Sequence, residues 1–169
     1  TDAGKTWRHV GLTSTGSIGG LEIHPMNPDI VFVAAIGNPF KPTPDRGLYR
    51  TLDGGKNWEK VLSVSDSTGA VDVEFQPGNP NVLYARVEHP AESGVYRTDD
   101  GGANWRKLST VNPRPMYFSQ IRIDPRSDAR IYVLGVSLHV SDDAGRTFRE
   151  DGAERIHVDH HAMWINPAN

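Results

Sequence analysis

Apolar and polar positions alternate in short runs along nearly the whole chain. Leu21 and Ile23 alternate with Glu22 and His24 before Pro25. Val71, Val73 and Phe75 do the same before Gln76-Pro77, Ile121 and Ile123 before Asp124-Pro125, and Met163 and Ile165 before Asn166-Pro167. A period of two is that of a half-buried β-strand. A nearly continuous apolar run follows each of the first three, at 29–36, 82–87 and 131–134, as in a strand covered on both faces. A third run at 48–51, 94–98 and 138–141 then leads into a Gly-rich turn. A strand is also expected at 6–10. No helical periodicity of useful length appears.

The Gly-rich turn repeats. Thr51-Leu-Asp-Gly-Gly-Lys-Asn-Trp58 returns as Thr98-Asp-Asp-Gly-Gly-Ala-Asn-Trp105 and, more loosely, as Ser141-Asp-Asp-Ala-Gly-Arg-Thr-Phe148. The chain opens inside another copy, Thr1-Asp-Ala-Gly-Lys-Thr-Trp7, which lacks its first residue. The shared pattern is Ser/Thr-x-Asp-x-Gly-x-Thr/Asn-aromatic. Strands on both sides make each copy a hairpin turn. Gly55, Gly102 and Gly145 supply the positive φ such a turn demands. Asp2, Asp53, Asp100 and Asp143 are placed to accept hydrogen bonds from the turn's own N–H groups. Trp58, Trp105 and Phe148 give each turn a large apolar plug. An acid required in every repeat reads as a turn brace rather than a reaction group.

Pro25, Pro77, Pro125 and Pro167 mark one point per unit, at intervals of 52, 48 and 42 residues. A four-stranded propeller blade takes about 40–50 residues. The expectation is an all-β partial β-propeller arc. Its three blades fall at roughly 18–62, 69–109 and 118–150, with partial blades at 1–10 and 160–169. Propellers close with about four to eight blades. A fragment of one longer propeller domain is therefore expected, partnered by the remaining blades of its parent chain. Its exposed end strands would be prone to pairing.

Composition narrows the function classes. With 37% hydrophobic residues, 17 Gly and 12 Pro, the chain suits many short strands joined by turns. A net charge of −3 offers no basic field for nucleic acid. No run approaches the length of a membrane span, so no membrane insertion is expected. The absence of Cys excludes disulfides and thiolate chemistry. No cofactor is implied.

The repeated turns resemble the Asp-box (BNR) repeats of sialidases, sortilin-type domains and some glycoside hydrolases. Other segments are similar to large bacterial sortilin-like BNR-repeat proteins often labelled glycosyl hydrolases. They are Gly11-Leu-Thr, Ile23-His-Pro-x-Asn-Pro-Asp29, Asn112-Pro-Arg-Pro-x-Tyr117 and His157-Val-Asp-His-His-Ala162. The resemblance spans essentially the whole chain. It implies a β-propeller with the Asp box between the third and fourth strands of each blade, an exported protein, and a ligand face opposite the boxes. It supplies no matched catalytic residue. A sialidase is not expected: the Arg-Ile-Pro motif of that group is absent, and Arg86, Arg114 and Arg122 are not spaced as a carboxylate-binding triad.

That topology directs attention to the loops 11–19, 63–70, 109–119 and 151–161 between blades, and 37–46, 88–94 and 135–137 within them. His157, Asp159, His160 and His161 form the densest group of ionisable residues. Their spacing matches no closed zinc motif, and strand alternation would put His160 and His161 on opposite faces, so no metal is expected. Ligand contact is the sharper reading of this group and a hydrogen-bonded loop anchor the plainer one. Arg114 is suited to clamp a carboxylate or phosphate, and Tyr117 to stack on a sugar ring. The plainer reading of both is a Pro-stiffened loop over the core. Glu88 with His89 and Glu92, Asp45 with Arg46, and Asp66 complete the candidates. Three functions remain open: a ligand-binding or scaffold propeller taking carbohydrate or peptide, a glycoside hydrolase using paired carboxylates, and a purely structural repeat.

Overall fold

The computed structural model describes residues 2–89, 92–113, 119–150, 153 and 155–168. The alternating runs form strands in three antiparallel sheets. The first sheet holds β1 (Ile18–Ile23), β2 (Val31–Ala35), β3 (Gly47–Thr51) and β4 (Glu59–Leu62), side by side in that order. The second holds β5 (Gly69–Gln76), β6 (Asn79–Glu88), β7 (Gly94–Thr98) and β8 (Arg106–Ser109). The third holds β9 (Ile121–Asp124), β10 (Ser127–Val133), β11 (His139–Ser141) and β12 (Arg149–Glu150). β1 lies beside β5 and β5 beside β9, so the first strand of each sheet is the innermost. These meanders are the blades of an all-β propeller arc.

Apolar layers between blades hold the arc together. Phe32, Leu48 and Leu62 of the first blade meet Val73, Phe75 and Leu83 of the second. The Phe32 and Phe75 rings pack edge to face with centroids 5.7 Å apart. Between the second and third blades, Tyr84 and Val95 meet Ile121, Ile131 and Val133. Each fully buried side chain of this kind contributes ~1.5–3 kcal/mol. Leu21 and Ile23 hold the places in β1 that Val73 and Phe75 hold in β5. They are 54% and 53% exposed, because no described blade lies against them.

The repeated turn joins the third strand to the fourth in every blade. The Thr51 hydroxyl accepts hydrogen bonds from the backbone N–H of Asp53 at 3.3 Å and of Gly55 at 2.9 Å, and donates to Asp53 Oδ1 at 2.9 Å. Asp53 in turn accepts from the Asn57 backbone at 2.9 Å and the Asn57 side chain at 2.6 Å. Thr98 with Asp100 and Ser141 with Asp143 repeat the pattern, with Asn104 and Thr147 as donors. Asp2 accepts from Lys5 N at 3.1 Å and the Thr6 hydroxyl at 2.6 Å.

Each turn also makes two docking contacts. One goes to the β1–β2 end of its own blade: Gly54 N donates to Asp29 O, Gly101 N to Asn81 O and Ala144 N to Ala129 O. The other goes, from the second and third turns, to the preceding blade, and from the first turn to Val10. Arg50 donates to Gly101 O at 2.8 Å, and the Tyr84 hydroxyl to Ala144 O at 3.4 Å. The turns and the β1–β2 type of hairpin therefore share one end of the arc. The β2–β3 type of loop and the links between blades share the other.

Two expected strands are not formed. Residues 6–10 and 160–168 pair with no strand among the described residues. Alternation supplies the side-chain pattern of a strand but not the neighbour that completes its hydrogen bonds. Val10 is nonetheless placed like a fourth-strand residue. Its carbonyl accepts from Trp58 Nε1 at 2.8 Å, and its side chain lies against Gly55 as Leu108 of β8 lies against Gly145.

The turn backbone carries two consecutive left-handed residues, Gly54-Gly55, Gly101-Gly102 and Ala144-Gly145. Alanine already holds the first place in the third turn, and a Cβ at Gly101 would meet nothing within 4 Å. A Cβ at Gly102 would lie 2.7 Å from the Phe32 ring. Gly101→Ala should cost about 1 kcal/mol, the left-handed penalty alone. Gly102→Ala should cost about 3 kcal/mol, because Phe32 must also move. Urea denaturation of the two variants checks this, and equal midpoints would contradict it.

Candidate functional site

At the end of the arc opposite the turns, loops and inner-strand ends enclose a cavity of about 300 Å³. Gly19 of β1, Gly69 and Val71 of β5, and Gln120 just before β9 contribute from the inner strands. Arg46 and His89 contribute from the two β2–β3 type loops, and His161 also lines the cavity. The inner strands approach closely here. A Cβ on Gly19 would lie 2.2 Å from the Val71 carbonyl oxygen, and one on Gly69 2.6 Å from that of Ile36.

Buried polar side chains hold the surrounding loops in place. Arg46 is 7% exposed, and its Nη2 donates to the carbonyls of Asn38 and of Lys41, the latter at 3.2 Å. Loop 38–41 is closed further by Asn38 N donating to Thr43 Oγ1 at 3.3 Å and Phe40 N to Asn38 Oδ1 at 2.9 Å. Glu92 ties two loops together by accepting from Ser65 at 2.7 Å and from Thr68. These hydroxyl donors, Thr68 foremost, hold its carboxyl below the usual range. Arg86 is fully buried and donates to Val111 O, to Asn112 Oδ1 at 3.0 Å and to Ser119 Oγ. Burial pulls its pKa down to about 10, against the opposing charges of Glu88 and Asp72. It therefore stays cationic at neutral pH and anchors the segment that leads into β9.

Deeper along the inner strands runs a charged ladder. Asp72 Oδ2 accepts from Ile121 N at 2.9 Å and Arg122 at 3.2 Å, while its Oδ1 accepts from Val73 N at 3.0 Å. Glu74 accepts from Ile123 N at 3.3 Å and Arg122 at 3.0 Å. Carboxylates of β5 thus satisfy backbone donors on the inner edge of β9. Burial pushes Glu74 up to about 7, with Arg122 opposing. Burial, with the neighbouring Asp72 charge adding to it, pushes Glu22 on β1 to about 7. Burial also raises Asp72, against the Ile121 N–H and Arg122.

The residues singled out from sequence are only partly brought together. His161 lines the cavity. His160 is half-buried and its N–H donates to Gly135 O at 2.8 Å. Asp159 is exposed, has φ 72°, and donates its N–H to Val136 O at 3.0 Å. His157 is exposed, its Nδ1 2.7 Å from Val158 O. The backbone of this segment thus docks on the β10–β11 loop. Arg114 and Tyr117 lie outside the described residues. Glu88, His89 and Arg46 line the cavity, whereas Asp66 is exposed. Among the described residues, no group of three or more His, Cys, Asp or Glu is placed to hold a metal ion.

Sequence reasoning included Ser119 and Gln120 in a candidate segment without singling out either, and missed the ladder below the wall. A signal for the ladder was present. Glu22, Glu74 and Arg122 each stand three residues before the proline that closes an inner strand.

The profile of a family described as "Sortilin, neurotensin receptor 3" matches residues 1–109. The chain belongs to the Sortilin-Vps10 family. No curated protein matches the sequence. Among solved structures, this Sortilin-Vps10 chain is similar to an ancestral GH74 enzyme. That match has a TM-score of 0.70 and 16% identity, and covers 89% of this chain and 20% of the enzyme. It is also similar to the GH74 xyloglucanase from Xanthomonas campestris, with TM-score 0.60, 22% identity and coverage of 80% and 23%. YCF48 from Cyanidioschyzon merolae matches with TM-score 0.59, 16% identity and coverage of 85% and 42%. At these identities the likeness shows the fold, a β-propeller. The Sortilin-Vps10 chain spans about a fifth of the GH74 enzymes and two fifths of YCF48.

The ladder sets a pH dependence of stability. Glu22 titrates near 7 in the folded protein and near 4.5 when unfolded. Between these values the folded state holds more protons, so this group's contribution to stability falls as pH rises. The turn aspartates act in the opposite sense. Hydrogen bonds from Asn57 hold Asp53 at about 2, so its contribution is present above the ordinary 3.8 and lost as pH falls through about 2. Glu22→Gln should therefore raise the urea midpoint more at pH 8 than at pH 5. The same shift at both pH values would contradict the buried-carboxyl reading.

Proposed function

We propose that this Sortilin-Vps10 chain is part of a ligand-binding propeller that takes carbohydrate or peptide on the face opposite the repeated turns. The cavity carries this reading. All three blades contribute to its wall, and its walls are held by internal hydrogen bonds before any ligand arrives. At about 300 Å³ it lies at the lower end of the ~300–1,000 Å³ range of small-molecule pockets. The remaining blades of the parent chain complete the ring in this reading, which also takes the protein to be exported.

Glycoside hydrolysis is the second reading, favoured by one observation: Glu22 and Glu74 are both carboxyls pushed to about 7 on neighbouring inner strands. Two-carboxylate hydrolysis needs both groups flanking the scissile bond. Among the described lining residues of the cavity, the one carboxylate is Glu88. Binding is therefore the better-supported function.

A retention screen against soluble glycans and extended peptides, scored together with released reducing ends, tests both. Ser67 lines the cavity, and Ser67→Trp should abolish retention by filling it. Leu52→Ala, an exposed position in the repeated turn, should leave retention intact. Sugar release lost in Glu22→Gln or Glu74→Gln would establish the hydrolase instead.

A further inference from the structure

We propose that loop 38–41 is a sugar platform, with Phe40 stacking on a pyranose ring of a neutral glycan whose next unit enters the cavity. The inference rests on the cavity face being the binding face and names the ligand class for it.

Phe40 is 94% exposed and directly follows Pro39, which lines the cavity. Among the described residues, two other aromatic residues are exposed to a similar degree, and the repeat explains both. Trp7, at 91%, holds the turn position of Trp58 and Trp105. Trp164, at 79%, holds the inner-strand position of Glu22, Glu74 and Arg122. Both stand where a neighbouring blade would pack. Phe40 lies on a loop at the cavity rim, at no blade-stacking position.

That loop is rigidly built. The buried Arg46 guanidinium grips the carbonyls of Asn38 and Lys41, one on each side of Phe40. The Asn38 side chain caps the Phe40 N–H at 2.9 Å, and Thr43 N donates to Asp66 O at 2.8 Å. The backbone that carries the ring is thus preorganised, so a partner that covers it faces little cost of ordering the loop.

The adjoining wall indicates what that partner is. Arg46 Nη2 is engaged by its own loop, and Glu88 lies 3.9 Å from Arg86. Beside them and the imidazoles of His89 and His161 stand neutral hydrogen-bonding groups: the hydroxyls of Ser67 and Ser119 and the amide of Gln120. Gln120 Oε1 accepts from Arg122 at 2.9 Å, which orients the amide so that its NH₂ remains a donor. An apolar plate beside hydroxyl and amide groups matches a ring with an apolar C–H face and a rim of hydroxyls.

Affinity electrophoresis in gels containing xyloglucan, mixed-linkage β-glucan or galactomannan tests the proposal, with polygalacturonate and an extended-peptide array as alternatives. The protein should be retarded by at least one neutral glycan. Phe40→Ala should weaken that binding about tenfold, and Phe40→Trp should restore it, with thermal melting unchanged in both. Neutral-glycan binding untouched by Phe40→Ala would overturn the platform while leaving the cavity reading intact, provided Ser67→Trp still abolishes retention. Binding only to polygalacturonate or peptides would overturn the neutral-glycan inference and leave a ligand-binding face. Failure to retain any of these probes would overturn both.

Discussion

A serine or threonine hydroxyl facing an aspartate two residues later is the contact on which each blade depends. In the turn at Thr51 and Asp53, the hydroxyl accepts two backbone N–H groups and donates its own hydrogen bond to the carboxylate. The carboxylate then gathers the donors of the next turn residues. This closed circuit holds a pair of left-handed residues that an open loop would not keep. It brings the last strand back beside the third and aims backbone carbonyls at the preceding blade, where Arg50 and Tyr84 meet them. One local motif thus sets both the blade and its neighbour.

Because the turns fix one end of the arc, the opposite end is free to carry loops of different length. Their positions are set by buried polar clasps. Arg46 closes its own loop, Glu92 joins two loops across a blade boundary, and Arg86 anchors the segment leading into β9. A fully buried guanidinium is tolerable only when its donors are largely met. Nη1 and Nη2 of Arg86 find a carbonyl, an amide oxygen and a hydroxyl, with Glu88 nearby, while Nε has no hydrogen-bond partner among the described residues. The cavity these loops surround is shaped without a ligand.

The inner strands add an electrostatic element that the apolar layers do not share. Their inner edges present backbone donors that no fifth strand covers. Asp72 and Glu74 meet those of β9, and Arg122 balances their charge. Both carboxyls occupy partly dry positions that raise them, and for Glu74, at about 7, protonation competes with ionisation near neutral pH.

Much of the architecture was legible in the sequence, because its signals are local. Period-two alternation, the proline that ends each inner strand, and the hydroxyl-x-Asp-x-Gly spacing each lie within a few residues. They specify strands, turns and the blade repeat directly. The segments 6–10, expected as a strand because it follows a copy of the turn, and 160–168, expected from the alternation of Met163 and Ile165, show the limit of that logic: strand pairing needs a neighbour that local pattern does not supply. The site followed different rules. His157, Asp159, His160 and His161 stand together in the chain, yet of these only His161 lines the cavity, because the segment docks through its backbone on the β10–β11 loop. Gln120, Ser67 and Gly19 are unremarkable in sequence and meet in space only once the blades stack. Sequence determined the repeat, since each hydrogen-bonded turn closes on itself. Tertiary structure decided the cavity, since its wall comes from loops of different blades whose approach is set by buried contacts far apart in the chain.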